Sequence, residues 1–472
     1  KFLAEFIENK NFIFSEKNLN KIEATQGKKF RESLEDVLYR MENETQRGIG
    51  SDPVVNTFNK FVNNAVAATM FLNMRSAVVQ GLSTMNFINW SDNNPYKAGK
   101  AFANQKQFWK DFSYIWNSPF LKQRRSGLKI NVQEAELAAA VSGAKNKAEA
   151  ALAYLLKKGY TPTTLMDSFA ITTGGSTFYR NRVNTYLKKG LSKKAAEKKA
   201  WMDFYSTASA AQQSSRPDLV SKIQVGAVGR VFFGWGNTQF QQTRLFEKAL
   251  RNELNGRGDS KTNWSKMWLY GFQQPLMYAA LSSGLFALYL DEEDTFDDKD
   301  KKDKAWRTVN TMMDSQVRGW GFGGAISTMI KNTILEAHKQ QKKGFTGDHT
   351  YTMLQIAGLS PPLSSGARKI YSGIQEYRFG EDLISEIGFS LDNPAVMASA
   401  KIIEGATNVP LARVMKKRRN IQEVLDGRNQ WWQRVAHGLG WSSWDLGTEW
   451  EEIEELKDEV KLKNKYPNKS LE

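Results

Sequence analysis

Twenty-three consecutive residues, Trp268–Leu290 (WLYGFQQPLMYAALSSGLFALYL), carry no formal charge, and a dense charged run, Asp291–Lys304 (DEEDTFDDKDKKDK), follows at once. Beyond a polar helical turn lies a second apolar, glycine-rich run, Arg318–Leu335 (RGWGFGGAISTMIKNTIL). About 20 apolar residues in a helix span a lipid core, so the first run is long enough to cross one. Gly271, Gln273, Gln274, Pro275 and Gly284 weaken insertion or helix propensity along it. Two environments therefore stay open. One is lipid; the other, which the interruptions favour, is a core where neighbouring helices satisfy the polar atoms. In either case the pattern predicts a helical hairpin, two apolar arms flanking a charged loop that must stay in water. The candidate membrane or partner contacts are Trp268, Leu269, Leu281, Leu285 and Phe286 on the first arm and Trp320, Phe322 and Ile326 on the second.

The rest of the chain is bounded by what it lacks. Among 472 residues there is no cysteine, which removes disulfides, thiolate catalysis and thiolate metal sites together. The three histidines, His338, His349 and His437, are scattered without ligand spacing, which argues against a zinc site or a Ser–His–Asp triad. No metal and no cofactor is expected. Lysine and arginine exceed aspartate and glutamate by 66 to 50, a net charge of +16, which favours nucleic acid or anionic lipid as a neighbour. The excess is dispersed. Only Lys122, Arg124 and Arg125, and the run Lys416, Lys417, Arg418 and Arg419, are clustered, so Arg124, Arg125 and Lys416–Arg419 are the candidate nucleic-acid contacts and the expected binding is non-specific. The chain opens at Lys1 with no basic–apolar–small leader pattern, as expected of a processed product or part of a longer polypeptide.

Helix punctuation recurs. Asp52-Pro53, Thr161-Pro162, Ser360-Pro361 and Asn393-Pro394 each set a capping side chain before a proline suited to the first helical position. After Asp52, Val54, Phe58, Phe61, Val62, Ala65, Val66 and Met70 fall on one helical face. Gln133–Lys158 is rich in strong helix formers and stops at Gly159, and Gly190 parts two further helices. Asn255–Asn263 reads as a loop, its RGD an accident of a polar turn, and the tail after Thr448 reads as an exposed helix with acids first and lysines last. Alternating β-branched runs are nearly absent. The fold class is mainly α, an elongated multi-segment helical array with very little sheet. The expected segments are an N-terminal 1–48, a 49–130 segment, a helical core region 131–255, the hairpin 256–345 and a tryptophan-rich 346–472.

Gly319–Gly324 spells G-x-G-x-x-G, yet what precedes it (TVNTMMDSQVR) is polar and helical in period rather than a strand, so no dinucleotide site is expected there. Close-spaced glycines among apolar residues better serve close helix approach. Trp431, Trp432, Trp441, Trp444 and Trp450 crowd the C-terminal part; burial of the ring with a bonded indole N–H is favoured over anchoring at lipid headgroups. No G-K-S/T loop, H-E-x-x-H or G-x-S-x-G occurs, and nothing singles out a catalytic carboxylate pair. No enzymatic activity is expected.

Five blocks occur in a fixed order: NMRSAVVQGLSTMNFINW (Asn73–Trp90), QQSSRPDLVSKIQVGAVGRVFFGWGNTQFQQTRLFEKALRNELNGRG (Gln212–Gly258), the apolar arm with its charged loop, RGWGFGGAISTMIKN, and NIQEVLDGRNQWWQRVAHGLGWSSWDLG (Asn420–Gly447). Together they resemble a region of the very large, polyvalent internal virion proteins of tailed bacteriophages, those of crAss-like phages included, over most of residues 50–450. The resemblance implies a cargo or ejection protein held in the capsid interior or tail lumen and delivered into the host with the genome. It implies other virion proteins (portal, tail, further cargo) and packaged DNA as partners, and the host membrane after ejection. It brings no catalytic residues, and no recognisable enzymatic module accompanies it here. Two alternatives stay open: a structural plug of the portal–tail channel that never leaves, and a non-catalytic part of a larger virion-packaged enzyme polypeptide. Local helical contacts re-form quickly after threading through a tail, and positive charge suits packing beside DNA.

Overall fold

The computed structural model describes residues 2–43, 61–62, 64–65, 68–125, 154, 158–211, 229, 232, 236–290, 296–342, 349–379 and 393–448. Helices dominate, and no strand occurs among the described residues. The start of the helix after Asp52-Pro53, most of Gln133–Lys158, residues 291–295, Trp450 and the terminal helix lie outside them. Of the face expected after Asp52, Val62, Ala65 and Met70 are buried. The expected capping is present at Asn393 and absent at Thr161. Asn393 accepts from the Ala395 N–H at 2.8 Å ahead of Pro394. Asn94 does the same for Lys97 at 2.9 Å ahead of Pro95. Thr161 is already helical, one residue earlier than its cap reading. The aspartate of the RGD turn, Asp259, is itself a cap, accepting from the Thr262 N–H at 2.9 Å.

Three N-terminal helices, α1 (Phe2–Ile13), α2 (Glu16–Gln26) and α3 (Lys28–Asn43), pack together, with Arg31 bridging Glu16, Glu23 and Glu35. A second group comprises α4 (Met74–Gln80), a 3-10 turn at Gly81–Phe87, α5 (Pro95–Ala103), α6 (Gln105–Trp116), α7 (Pro119–Arg125), α8 (Thr161–Lys188) and α9 (Lys193–Ala211). Gly190, with φ +83°, turns the chain between the last two, as expected. The long α8 is the hub, touching every other member of the group. Its sequence, TPTTLMDSFAITTGGSTFYRNRVNTYLK, is poor in large aliphatic residues for so buried a helix. Hydroxyls meet that difficulty by bonding back one turn, Thr172 to the Ser168 carbonyl at 2.7 Å and Ser176 to that of Thr172 at 2.6 Å. Two glycines let neighbours touch the backbone: a Cβ on Gly174 would lie 2.4 Å from the Thr84 carbonyl oxygen, and one on Gly175 would lie 2.3 Å from the Phe204 ring. The apolar cluster around α8 joins Phe87, Ile115 and Leu121 to Ile171, Phe178, Val183 and Phe204. The described residues of 49–130 and 131–255 thus contribute to one core.

The uncharged segment corrects the hairpin expectation. A helical path runs through α10 (Asn237–Leu254), then α11 (Ser260–Trp268), a π turn at Leu269–Gln273, and α12 (Gln274–Ser283). The π turn lies just before Pro275, whose ring would strike the carbonyl of residue 271 and which has no N–H to return; a widened turn relieves both problems. Gly284, at φ +71°, then ends the helix, and only the short α13 (Ala287–Leu290) follows. No helix among the described residues is long and apolar enough to cross a membrane. α12 packs on α14 (Asp298–Arg318), and α14 packs on α15 (Phe322–Lys342), so the later part of the charged stretch, Asp298–Lys304, opens the middle helix instead of forming a loop between paired arms. Asp297 caps α14, accepting from the Asp300 N–H at 2.7 Å, and Asp298 and Asp300 sit at the positive end of its dipole. Glycines again mark close approach: a Cβ on Gly319 would meet Thr243 of α10 at 1.9 Å, and one on Gly324 the Val317 carbonyl oxygen at 1.8 Å. Gly321, at φ +82°, starts α15 after a helix and not after a strand.

The C-terminal helices are α16 (His349–Ala357), α17 (Pro361–Phe379), α18 (Pro394–Thr407), α19 (Leu411–Leu425), α20 (Trp431–Leu439) and the single turn α21 (Ser443–Leu446). The connection GWSSWDLG (Gly440–Gly447) is driven as a wedge between distant parts of the chain. Trp441 is 2% exposed; its Nε1 donates to the Leu281 carbonyl at 3.1 Å, its ring meets Phe286 edge-on at 5.1 Å, and the Arg75 guanidinium lies 5.6 Å from its centroid. Asp445 pairs with Arg75 at 3.0 Å, and its carbonyl accepts from the buried Lys304 Nζ at 2.5 Å. Lys304 therefore does not stay in water, as the loop expectation required; a carbonyl and the faces of Phe296 and Trp444 replace its hydration. Residues 256–345 and 346–472 are joined here, in a cluster of Ala287, Phe296, Trp432, Ala436, Trp441 and Leu446. Replacing Trp441 with alanine should destabilise the protein by about 3–5 kcal/mol, read as a fall in the urea midpoint, whereas Trp431→Ala at an exposed position (76%) should shift it little.

Candidate anion-binding cleft

A cleft of about 830 Å³ is walled by α17, α18 and α19 and lined further by Arg318, Ser442, Ser443 and Trp444. α17 and α18 are in backbone contact through glycine. A Cβ on Gly405 would lie 2.7 Å from the Gly366 carbonyl oxygen, and one on Gly373 would lie 2.7 Å from that of Ala398. Longer side chains of both helices line the cleft, Arg368, Lys369, Ser372 and Glu376 from one and Lys401 and Glu404 from the other. α19 supplies the third wall with Arg413, Lys416, Arg419, Asn420 and Glu423, spaced three and four apart on one helical face.

Seven basic side chains meet three acidic ones along this lining. Glu404 is fully buried and committed: it pairs with Lys369 at 2.9 Å and accepts from the Arg413 backbone N–H at 3.0 Å. Glu376 pairs with Lys401 at 2.5 Å. The Arg413 Nε lies 3.8 Å from Glu404 and has no hydrogen-bond partner among the described residues. The side chains of Lys416 and Arg419 make no ion pair or hydrogen bond to another described residue. Burial pushes the guanidinium of Arg413 below its ordinary range, with Glu404 opposing, and does the same to Arg318 and Arg368. Lys416 keeps an opening to solvent, yet desolvation by the walls, then the charges of Arg75, Arg413 and Arg419, lower its pKa. Desolvated cations without matching acids favour whatever anion enters. Serines 364, 365, 372, 442 and 443 add hydroxyls suited to phosphate or sugar oxygens. No grouping of three or more His, Asp or Glu placed for a metal occurs among the described residues.

The candidate contacts divide. Lys416 and Arg419 line the cleft, while Lys417 faces a second, smaller recess of about 210 Å³ with Arg75 and Arg413, and Arg418 is exposed. Arg125 is held by Trp116, 4.0 Å over its ring and bonded to its carbonyl at 2.7 Å. Arg124 is a correction. It is 1% exposed, its Nε 2.5 Å from Asp167 of α8, and it cannot touch nucleic acid. On the apolar arms, Trp268, Trp320 and Phe322 are exposed and Ile326 and Leu285 half-buried, but Leu269 is buried and Leu281 and Phe286 pack into the cluster around Trp441. Leu269 is therefore a core residue, and Leu281 and Phe286 direct much of their surface to the protein. Arg318, Arg368, Lys369, Lys401 and Arg413 were not visible from sequence as site residues, since each stands among ordinary helical polar residues. Only the run Lys416–Arg419 carried a signal.

No family model, no curated protein and no solved structure matches the chain. The resemblance to phage internal virion proteins accordingly rests on the sequence blocks.

Two outcomes follow from these environments. Arg124→Ala should destabilise by about 3–5 kcal/mol by stranding the Asp167 carboxylate, while any anion affinity measured on the folded variant stays as in the wild type. His437, 1% exposed behind the α19 wall, has its pKa lowered by burial, with Glu423 at 3.8 Å opposing and Lys416 assisting. The folded state binds this proton less readily than the unfolded chain. Its stabilising contribution is complete above about pH 6.5 and is lost as pH falls through that value toward the lower folded pKa. Melting temperature should therefore fall more steeply from about pH 7.5 to 5.5 in the wild type than in His437→Gln.

Proposed function

We propose that the chain is a mainly helical internal virion protein of a tailed bacteriophage. It is held in the capsid interior or tail lumen against packaged DNA and other virion proteins, and delivered into the host cell with the genome. The observation that carries the DNA-facing part of this reading is the cleft, where cations are gathered, partly desolvated and under-neutralised. A net charge of +16 extends the same tendency over the whole chain. The virion part draws support from the five ordered sequence blocks. A mainly helical chain without cysteine also suits passage through a tail, because helical contacts re-form locally and no disulfide has to be rebuilt.

Phosphate neutralisation releases counterions, so affinity for duplex DNA should fall with salt, with a slope of about 0.9 per contacted phosphate in a double-logarithmic plot. A labelled 30-base-pair duplex titrated from about 50 to 200 mM salt should show that dependence without sequence preference. Lys417→Ser with Arg418→Ser, at the outer edge of α19, should reduce the slope by up to about two. Peptides of this chain should also be found by mass spectrometry in purified virions and then in infected cells. Presence in virions without transfer would favour the channel plug, and absence from virions would end the proposal.

A further inference from the structure

Trp444 stands at the cleft wall beside Ser442 and Ser443, 52% exposed in a molecule whose neighbouring Trp441 and Trp432 are buried. Its backbone is fixed. Ser442 and Asp445 form a capping box around it, with the Ser442 hydroxyl donating to Asp445 at 2.8 Å, and Asp445 is tied to Arg75 and Lys304. Its ring is held too, with the Arg307 guanidinium 4.3 Å from the centroid. An indole so anchored, set beside unpaired cations and hydroxyls, is a combination that phosphate recognition alone does not require. Duplex DNA keeps its bases stacked inside the helix and would present only phosphates to a recess of this kind. A single strand can place a base on an aromatic face while its flanking phosphates meet the cations, the pairing on which single-strand binding rests.

We infer that the cleft between α17, α18 and α19 is a binding site for a short single-stranded segment of nucleic acid, with Trp444 as the stacking platform and Lys416 and Arg419 as phosphate contacts. The inference rests on the reading of the cleft as DNA-facing and narrows it. The cleft volume of about 830 Å³ lies within the range of pockets that enclose small ligands, enough for a nucleotide or two and not for a duplex. The Arg413 Nε has no hydrogen-bond partner among the described residues, and a phosphate oxygen would supply one.

The test uses the full chain and a labelled twelve-residue oligothymidylate, with unlabelled duplex and inorganic tripolyphosphate as competitors at equal phosphate concentration. Wild type should bind the oligonucleotide, and neither competitor should displace it as well as unlabelled oligothymidylate does. Trp444→Ala should weaken binding about tenfold or more, Trp444→Phe should restore most of it, and both should leave tripolyphosphate affinity unchanged. Lys416→Ser with Arg419→Ser should weaken all three ligands. Thermal melting of each variant separates lost binding from lost folding, and the phenylalanine variant keeps the test valid if the alanine variant is unstable. Duplex binding without oligothymidylate binding would overturn this inference and leave DNA association standing. Equal displacement by tripolyphosphate, or wild-type affinity in folded Trp444→Ala, would also overturn it, assigning the cleft to phosphate alone. Failure of duplex and single strand alike would remove both readings.

Discussion

A helix with few large aliphatic residues can occupy the middle of a protein only if nearly every polar group on it is matched, and α8 depends on that condition. Asp111, Asp92 and Asp203 arrive from three surrounding elements to meet Arg180 and Arg182 of α8, and Arg124 of α7 meets Asp167 on α8 itself. Such pairs contribute little net stability against a well-packed apolar alternative, because desolvation offsets most of the attraction. They do select one arrangement, since any slip of α8 strands several charges at once. Its glycines and back-bonded hydroxyls then let the 3-10 turn and α9 approach to backbone contact.

The wedge at Gly440–Gly447 does the equivalent work between more distant parts. Arg75, Leu281, Lys304 and Trp441 come from four stretches of sequence and converge on one capped turn. That turn has two faces. Trp441 looks into the core, whereas Trp444 looks toward the cleft, so the contact that closes the fold also positions the ring on which the binding inference rests. Loss of the wedge would accordingly loosen the cleft as well, which is why a phenylalanine at residue 444 is the informative replacement there.

The cleft shows how dispersed charge becomes a site. Along the chain, Arg318, Arg368, Lys401 and Arg413 lie tens of residues apart in helices that look ordinarily solvated. Glycines at the seam bring α17 and α18 into backbone contact, and the long polar side chains of both helices line one cleft. α19 then closes the third side. Crowding of like charges is destabilising to the free protein and is relieved by an anion, which makes the arrangement more consistent with binding than with simple solubility.

How much of this was legible in the sequence depended on the range of the interaction. Helical content, the proline-associated cap at Asn393, the break at Gly190, the helix rather than strand ahead of Gly319–Gly324 and the buried, hydrogen-bonded fate of Trp441 all follow from forces acting within a few residues or from the chemistry of a single side chain. The fate of the uncharged run did not. Its length suggested one span, but Pro275 and Gly284 act locally to widen and end it, and only the arrival of Trp441 and α14 decided that Leu281 and Phe286 face protein. Likewise Arg124 looks like any surface cation until Asp167, 43 residues away, is brought beside it. Charge and hydropathy are properties of residues, and the sequence by itself determined those together with the local helices. Which charges are buried, paired or left facing a common cleft is a property of neighbours, and only the tertiary structure decided it.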